Sequence, residues 1–398
     1  MDFLHRVWAE IDLDALEYNY KTLRARLHDG CRMMCIVKAD AYGHGALTVS
    51  KTLDRCGAEW FGVSNIEEAA ELRLSGIQKP VFILGYTPPG YAGALAEMKL
   101  SQSVFSLDYA RELDRAAREA GVSVDVHIKI DTGMNRLGLI YQEQERRAET
   151  IEEAETICRL KNLRATGMFT HFSVADEGED GEAFTREQCR CFQEVRDALK
   201  EKGITFSFHH CANSGGTLAY PEAQFDMVRP GIALYGLYPS EKLRSEMPLR
   251  PVMTLKSVIS FLKEVKPGGA VSYGRTFEIE RPMTLATIPI GYADGYARSL
   301  SGRADLLVGG RRAKIVGRVC MDQLVVDVTG IPGLRADDEV IVFGGGLPVD
   351  ELARLEDTIN YELVCRVSKR VPRIYRRGGQ PLSAMNYLCP EAWEKGLL

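Results

Sequence analysis

The sequence predicts an α/β protein in two parts: a (β/α)8 barrel of the TIM type, followed by a mostly antiparallel β domain. Three observations carry this expectation. Eight short apolar runs, most of them rich in Val, Ile and Phe, recur along the first part of the chain. Helix-period stretches separate them. After Leu237 the pattern changes to strand-like runs divided by turn glycines. Parallel strands buried on both faces read as near-continuous apolar runs. Eight of them alternating with helices in about 240 residues suit a barrel, with an open doubly wound sheet as the structural alternative.

The runs lie at residues 33–37, 61–63, 81–84, 103–105, 124–130, 165–170, 206–210 and 227–235. The stretch 14–27 carries Leu16, Tyr20, Leu23 and Leu27 at helical spacing. Stretches 66–75, 107–120, 143–160 and 182–200 look similar. Asp108 marks the start of one and Gly121 its end. The barrel domain is set at residues 1–240 and the β domain at 241–398, with Pro239, Pro248 and Pro251 at the boundary. Strands follow at 252–265, 283–289, 304–308, 314–328 and 339–343, interrupted by a helix at 349–356. The strand-like segment 6–13 could pack with this second domain.

The bulk numbers fit. A chain of 398 residues exceeds one ordinary compact core. Its 45% hydrophobic and 26% charged content is that of a soluble globular protein. A net charge of −5 argues against nucleic acid as a partner but allows a local cationic pocket. No run approaches the roughly 18–20 apolar residues of a membrane span. Charges interrupt the N-terminus too early for a signal peptide. The ten cysteines have no regular spacing, and Cys189 and Cys191 have no matching pair to make a metal site. Reduced thiols in a cytoplasmic enzyme without a metal are expected.

Barrel enzymes place their reactive groups at the C-terminal ends of the strands. Lys38 follows the first run, Lys129 and Arg136 lie at and after the fifth, and His171 follows the sixth. Asn213 and Ser214 follow the seventh, and Arg229, Gly231 and Ile232 come with the eighth. Each has a plain alternative: a solvated lysine, a structural histidine, a salt-bridge arginine, a serine that merely caps a helix. Together they make a cationic, donor-rich rim in an acidic protein. Lys38 stands apart because an apolar run leads straight into it, with Ala39 and Gly43 keeping its surroundings open. A lysine so placed can lose its proton and act as a nucleophile.

These residues sit in a series of motifs: Val7-Trp8-Ala9-Glu10-Ile11-Asp12, Lys38-Ala39-Asp40-Ala41-Tyr42-Gly43-His44-Gly45, His127–Gly138, Thr170–Phe172, Asn213-Ser214 and Arg229-Pro230-Gly231-Ile232-Ala233-Leu234-Tyr235-Gly236. Later come Ser272-Tyr273-Gly274-Arg275-Thr276, Pro289-Ile290-Gly291-Tyr292-Ala293-Asp294-Gly295, Gly317-Arg318-Val319-Cys320-Met321-Asp322-Gln323 and Ile359-Asn360-Tyr361-Glu362. In this order, over nearly the whole chain, they resemble the alanine racemase family of fold-type III pyridoxal-phosphate enzymes.

The resemblance implies that Lys38 carries pyridoxal phosphate and serves as the base for D-alanine, with Tyr273 as the base for L-alanine. His171 and Arg229 would tune Tyr273, with Arg229 also facing the pyridine nitrogen. The phosphate would be held by Ser214, the N–H groups of Gly231 and Ile232, Tyr42 and Tyr361; Asn213 belongs to the same cofactor-binding motif. Arg136 would meet the cofactor's phenolic oxygen and the substrate carboxylate, and Lys129, if carbamylated, would orient it. Met321, with Asp322 beside it, would bind the carboxylate, and Tyr292 would narrow the entrance. Tyr273 would reach the barrel of a partner, making the active unit a homodimer. The implied reaction interconverts L- and D-alanine for cell-wall synthesis. A serine-preferring racemase is the nearest alternative, disfavoured by Tyr361. A non-catalytic cofactor carrier would stop after the barrel. Decarboxylases of the same fold type combine a glycine-rich phosphate loop with a cysteine-bearing motif near the second-domain site, an arrangement not found here, where Cys320 precedes Met321-Asp322 in the racemase pattern.

Overall fold

The computed structural model describes residues 6–244, 247–388 and 390. Eight parallel strands form the barrel wall, Arg32–Ile36, Trp60–Val63, Val81–Ile83, Leu100–Val104, Val124–Asp131, Leu163–Phe169, Phe208–His210 and Met227–Val228, and a short ninth, Leu139–Ile140, pairs beside the end of Val124–Asp131. The first seven pair each with the next, and the eighth pairs with the first through Met227 opposite Arg32. Between the seventh and eighth strands the seam is sewn by Asp226 N–H to His209 O and Arg229 N–H to Ala212 O. This is the expected barrel.

The eighth strand is much shorter than the expected 227–235. Pro230 has no N–H to donate to a ladder. The chain turns there into a short 3-10 helix, Ile232–Tyr235, ended by Gly236 at φ 76°. Helix Leu107–Glu119 is capped not by Asp108 but by Ser106, whose hydroxyl accepts from Tyr109 N–H. Helix Ala46–Arg55 lies outside the predicted helices, because its buried face mixes Ser50 and Thr52 with Ala46, Val49 and Leu53 and so hides the apolar spacing.

The second sheet has ten strands, antiparallel except where Val7–Asp12 lies parallel to Arg373–Arg377. Val7–Asp12 also pairs antiparallel with Met253–Val258. The run 252–265 is two strands, because the chain changes neighbours: Met253–Val258 pairs with Glu339–Phe343, and Phe261–Val265 with Met283–Ile288. The run 314–328 divides at Gly317, at φ 72°, where a Cβ would lie 2.7 Å from the Val271 carbonyl oxygen. The loop so created carries Met321.

Contacts divide the chain into two compact units. One comprises Leu16–Ala41 and Ala46–Arg250; the other takes the N-terminal segment to Ala15, Tyr42–Gly45 and the chain from Pro251 on. Among the described residues no helix is long and apolar enough to cross a membrane. The buried cysteines Cys31, Cys35, Cys189, Cys191 and Cys211 are free thiols, while Cys389 lies outside the described residues.

Candidate active site

Lys38 opens a turn directly after the first barrel strand. The next four residues, Ala39, Asp40, Ala41 and Tyr42, have φ of 53, 55, 52 and 52°. The segment Lys38–Gly43 is therefore a left-handed turn, which costs L-residues roughly 1–2 kcal/mol each. Such strain persists only where its surroundings over-determine it. Ala39 N–H donates to Glu68 Oε1 at 2.7 Å, and Ser64 N–H donates to the other carboxylate oxygen. Asp40 Oδ1 accepts from Ala46 N–H at 2.7 Å. Gly43 is not there to leave space open: a Cβ would sit 2.1 Å from the Val364 carbonyl oxygen. Close backbone approach demands the glycine.

Arg229 is 2% exposed at the end of the eighth strand. Its Nη1 donates to His210 Nδ1 at 2.8 Å. Its Nη2 donates to the carbonyls of Thr170 and Cys211, at 2.8 and 3.0 Å, and to His171 Nδ1 at 3.2 Å. Guanidinium only donates, so both imidazoles must accept at Nδ1 and carry their protons on Nε2. His210 Nε2 then donates to His127 Nδ1, 2.8 Å away. Burial first, and Arg229 second, hold His127 down to about 3 and push His171 and His210 well below the ordinary imidazole range. All three are neutral at pH 7. Burial lowers Arg229 only to about 10, so it stays charged. A buried cation among neutral acceptors, with no carboxylate in contact among the described residues, calls for an electron-rich ligand.

Lys129 is 4% exposed, and burial together with Arg136 and Arg229 lowers its amine to about 8. His171 feels the charges of Arg229, Arg136, Lys129 and Lys38, which places the four cations around one rim. The loop that delivers Arg136 is organised by Asp131, which is not among the predicted site residues. Its Oδ1 accepts from the N–H groups of Gly133, Met134 and Asn135, and Oδ2 from that of Arg136. One carboxylate thus satisfies four amides of an irregular loop. Replacing Asp131 with Ala is expected to raise the KM for substrate by about tenfold or more, since charged hydrogen bonds contribute roughly 1.5–3 kcal/mol each and loss of the frame displaces Arg136. Steady-state kinetics on the folded variant checks this; an unchanged KM would remove Arg136 from the site.

Ser214 begins helix Ser214–Ala219, but Asn213 is its cap, accepting from Gly216 N–H through Oδ1. The Ser214 hydroxyl is released from capping and accepts from the N–H groups of Gly231, at 2.9 Å, and Ala233, at 3.3 Å. Ile232 starts the 3-10 turn beside them. Hydroxyl and amides converge here as a phosphate oxygen would need them.

In the other unit Tyr42 and Tyr361 face one another, ring centroids 6.0 Å apart. Tyr273 is 71% exposed, on a turn flanked by three left-handed residues, Ser272, Gly274 and Arg275. Tyr292 and Met321 are also exposed. Their segments are joined: Tyr292 N–H donates to Cys320 O and Ala293 N–H to Met321 O. Asp322 pairs with Arg370 at 2.8 Å.

Residues 11–239 match the family model for the alanine racemase N-terminal domain, and residues 252–375 that for its C-terminal domain. Alanine racemase 1 of Clostridium acetobutylicum is 42% identical over 387 residues, covering 96% of this chain and 98% of the relative. The alanine racemase of Desulforamulus reducens is 44% identical, covering 93% and 98%. Among solved structures, that of Clostridium difficile alanine racemase aligns with a TM-score of 0.92 at 36% identity, covering 97% of this chain and all of the other. Alanine racemase from Bacillus anthracis with bound L-Ala-P aligns at 0.89 and 34% identity, covering 98% and 100%. The fold and these matches define the class: an amino-acid racemase, an isomerase. Within that class the chain belongs to the alanine racemase family.

Proposed function

We propose that the protein interconverts L- and D-alanine with pyridoxal phosphate held at the barrel mouth, in the cytoplasm, supplying D-alanine for peptidoglycan. The observation that carries the cofactor is Arg229, a buried cation surrounded by neutral acceptors. Its shell fits an aromatic ring nitrogen, which accepts a hydrogen bond without needing a proton.

When bound, the cofactor supplies the electron sink that makes the substrate's α-proton removable. Arg229 would donate to the ring nitrogen and leave it unprotonated, since guanidinium keeps its protons. Ser214, with the amides of Gly231 and Ile232 and the hydroxyls of Tyr42 and Tyr361, would take the phosphate; Asn213 fixes the helix that presents Ser214. Lys38 would hold the cofactor covalently. Its Nζ would exchange the α-proton on the face serving D-alanine, and Tyr273 Oη would do so on the face serving L-alanine. Arg136 and the Met321 N–H would bind the carboxylate, with Asp322 bracing Met321 and Tyr292 limiting the side chain. Lys129 has the lowered amine that captures carbon dioxide, releasing a proton and becoming an anion that orients Arg136.

The exposure of Tyr273 supports a homodimer in which a second copy receives it. The β unit bearing Tyr273 and Met321 weighs against a carrier role. Tyr361 favours alanine over serine, although a small pocket rejects one added hydroxyl only weakly.

The test is reconstitution of the purified chain with pyridoxal phosphate. Wild type should gain the visible absorbance of lysine-bound cofactor and racemise alanine. Lys38→Ala should lose both. Absorbance without racemisation of alanine would overturn the substrate, and no absorbance would overturn the cofactor.

A further inference from the structure

The segments carrying Tyr292 and Met321 share a buried anchor. Asp294 is fully buried three positions from the start of the 291–295 turn. Arg6 grips it with both Nη atoms, at 2.6 and 3.2 Å, while Arg6 Nη1 also donates to Pro289 O at 2.7 Å. Gly291 N–H donates to Asp294 Oδ2 at 3.1 Å, and Ser368 N–H to the Asp294 carbonyl. Arg370 has two arms. Its Nε lies 3.7 Å from Asp294 Oδ1, and its Nη2 donates to Asp322 Oδ1 at 2.8 Å. One guanidinium thus ties the floor of the Tyr292 turn to the residue following Met321.

The backbones are correspondingly close. A Cβ at Gly291 would lie 2.3 Å from Cys320 O and 2.4 Å from Met321 O. The Tyr292 and Ala293 amides donate to those same carbonyls, at 3.1 and 3.0 Å. A fully buried carboxylate is a costly way to stabilise a turn, because apolar packing does it without desolvating charge. It does supply fixed direction, with Oδ1 held by Arg6 Nη2 and Oδ2 by Arg6 Nη1 and the Gly291 amide.

We propose that Asp294 is a positioning residue that, through Arg370, sets the spacing between Tyr292 and the Met321 amide. It thereby fixes both carboxylate capture and the side-chain size the enzyme accepts. The inference rests on the reading that Tyr292 and Met321 face the substrate.

The experiment uses the holoenzyme and compares Asp294→Asn, Arg370→Gln and Arg370→Lys. Each is assayed for alanine KM, kcat and the serine-to-alanine ratio of kcat/KM, with thermal unfolding as a separate readout. Misplacement of a binding group by about 1 Å can cost up to 10²-fold, so Asp294→Asn should raise KM by about tenfold and shift the ratio by about threefold or more, with kcat changed less. Arg370→Gln should move both in the same direction, and Arg370→Lys, which keeps the charge but has one nitrogen in place of two arms, should recover only part of the loss. If Asp294→Asn fails to fold, Arg370→Gln, at the half-exposed end of the bridge, decides. A folded variant with wild-type KM and ratio, lowered only in unfolding temperature, overturns the proposal. Tyr292→Ala separates the two levels. If it shifts the ratio and the bridge variants do not, this inference alone falls; if it too leaves the ratio unchanged, the reading of the site falls.

Discussion

Tyr273→Phe should lower alanine racemisation by roughly 10²–10⁴, the usual contribution of a positioned acid–base group. The loss must be equal in both directions. L- and D-alanine have the same free energy, so the ratio of forward to reverse kcat/KM is fixed at one, whichever base is removed. Direction of turnover therefore cannot identify which face Tyr273 serves. Exchange of the α-proton with solvent can. In deuterated water Tyr273→Phe should still wash deuterium into D-alanine, because Lys38 remains on that face. L-alanine should keep its proton. Phe preserves the ring and deletes only the hydroxyl. The turn around it, with Ser272, Gly274 and Arg275 all left-handed, is held by Ser272 Oγ donating to Arg318 O rather than by the phenol. Exchange retained into L-alanine and lost from D-alanine would reverse the assignment. Exchange retained in both, with racemisation intact, would remove Tyr273 from the chemistry.

The barrel was legible because period and burial agree: strands covered on both faces leave apolar runs that side-chain chemistry alone reveals. What was misread has local causes. The expected long strand 227–235 ignored the missing amide of Pro230. The expected strand 252–265 concealed a change of partner, which no single-strand pattern records. The cationic rim was also legible, since Lys38, Lys129, Arg136, His171 and Arg229 are chemically conspicuous after apolar runs. Their supports were not. Glu68 holds the Ala39 amide from a helix that begins 27 residues beyond it, and no spacing rule joins the two. Asp131 could have been found: an aspartate before Thr132-Gly133, at the end of a strand, is placed to accept the amides of the loop that follows. His127 and His210 sit inside runs taken as strand, and nothing in a sequence tells that two inward-facing imidazoles from different strands will meet. Left-handed Ala39–Tyr42 lies furthest from sequence reasoning, since its residues have no intrinsic preference for that conformation.

Acid should destabilise the barrel unit steeply. His127, His171 and His210 all have folded values below the ordinary imidazole value of about 6.5. The folded form refuses protons that the unfolded chain accepts. The stability these groups contribute is therefore complete above about pH 6.5 and is lost as pH falls towards the folded values, about 3 for His127. Below the unfolded value a histidine held neutral costs about 1.4 kcal/mol per pH unit, so at pH 5 His127 alone removes about 2 kcal/mol, and His171 and His210 act in the same direction. Urea unfolding at pH 7, 6 and 5, followed through Trp60, whose ring centroid lies 5.7 Å from that of His127, measures the slope. His127→Phe provides the control. Its neighbours Phe82, Trp60 and Phe208 already make an aromatic site, and the variant should make the slope shallower. A stability flat between pH 7 and 5 would mean that the imidazoles take up protons in the folded state. That outcome would reach the chemistry as well, because a protonated His210 cannot accept from Arg229. The guanidinium would then lose the partner that fixes its plane, and its donation to a bound ring nitrogen would no longer be set by the barrel.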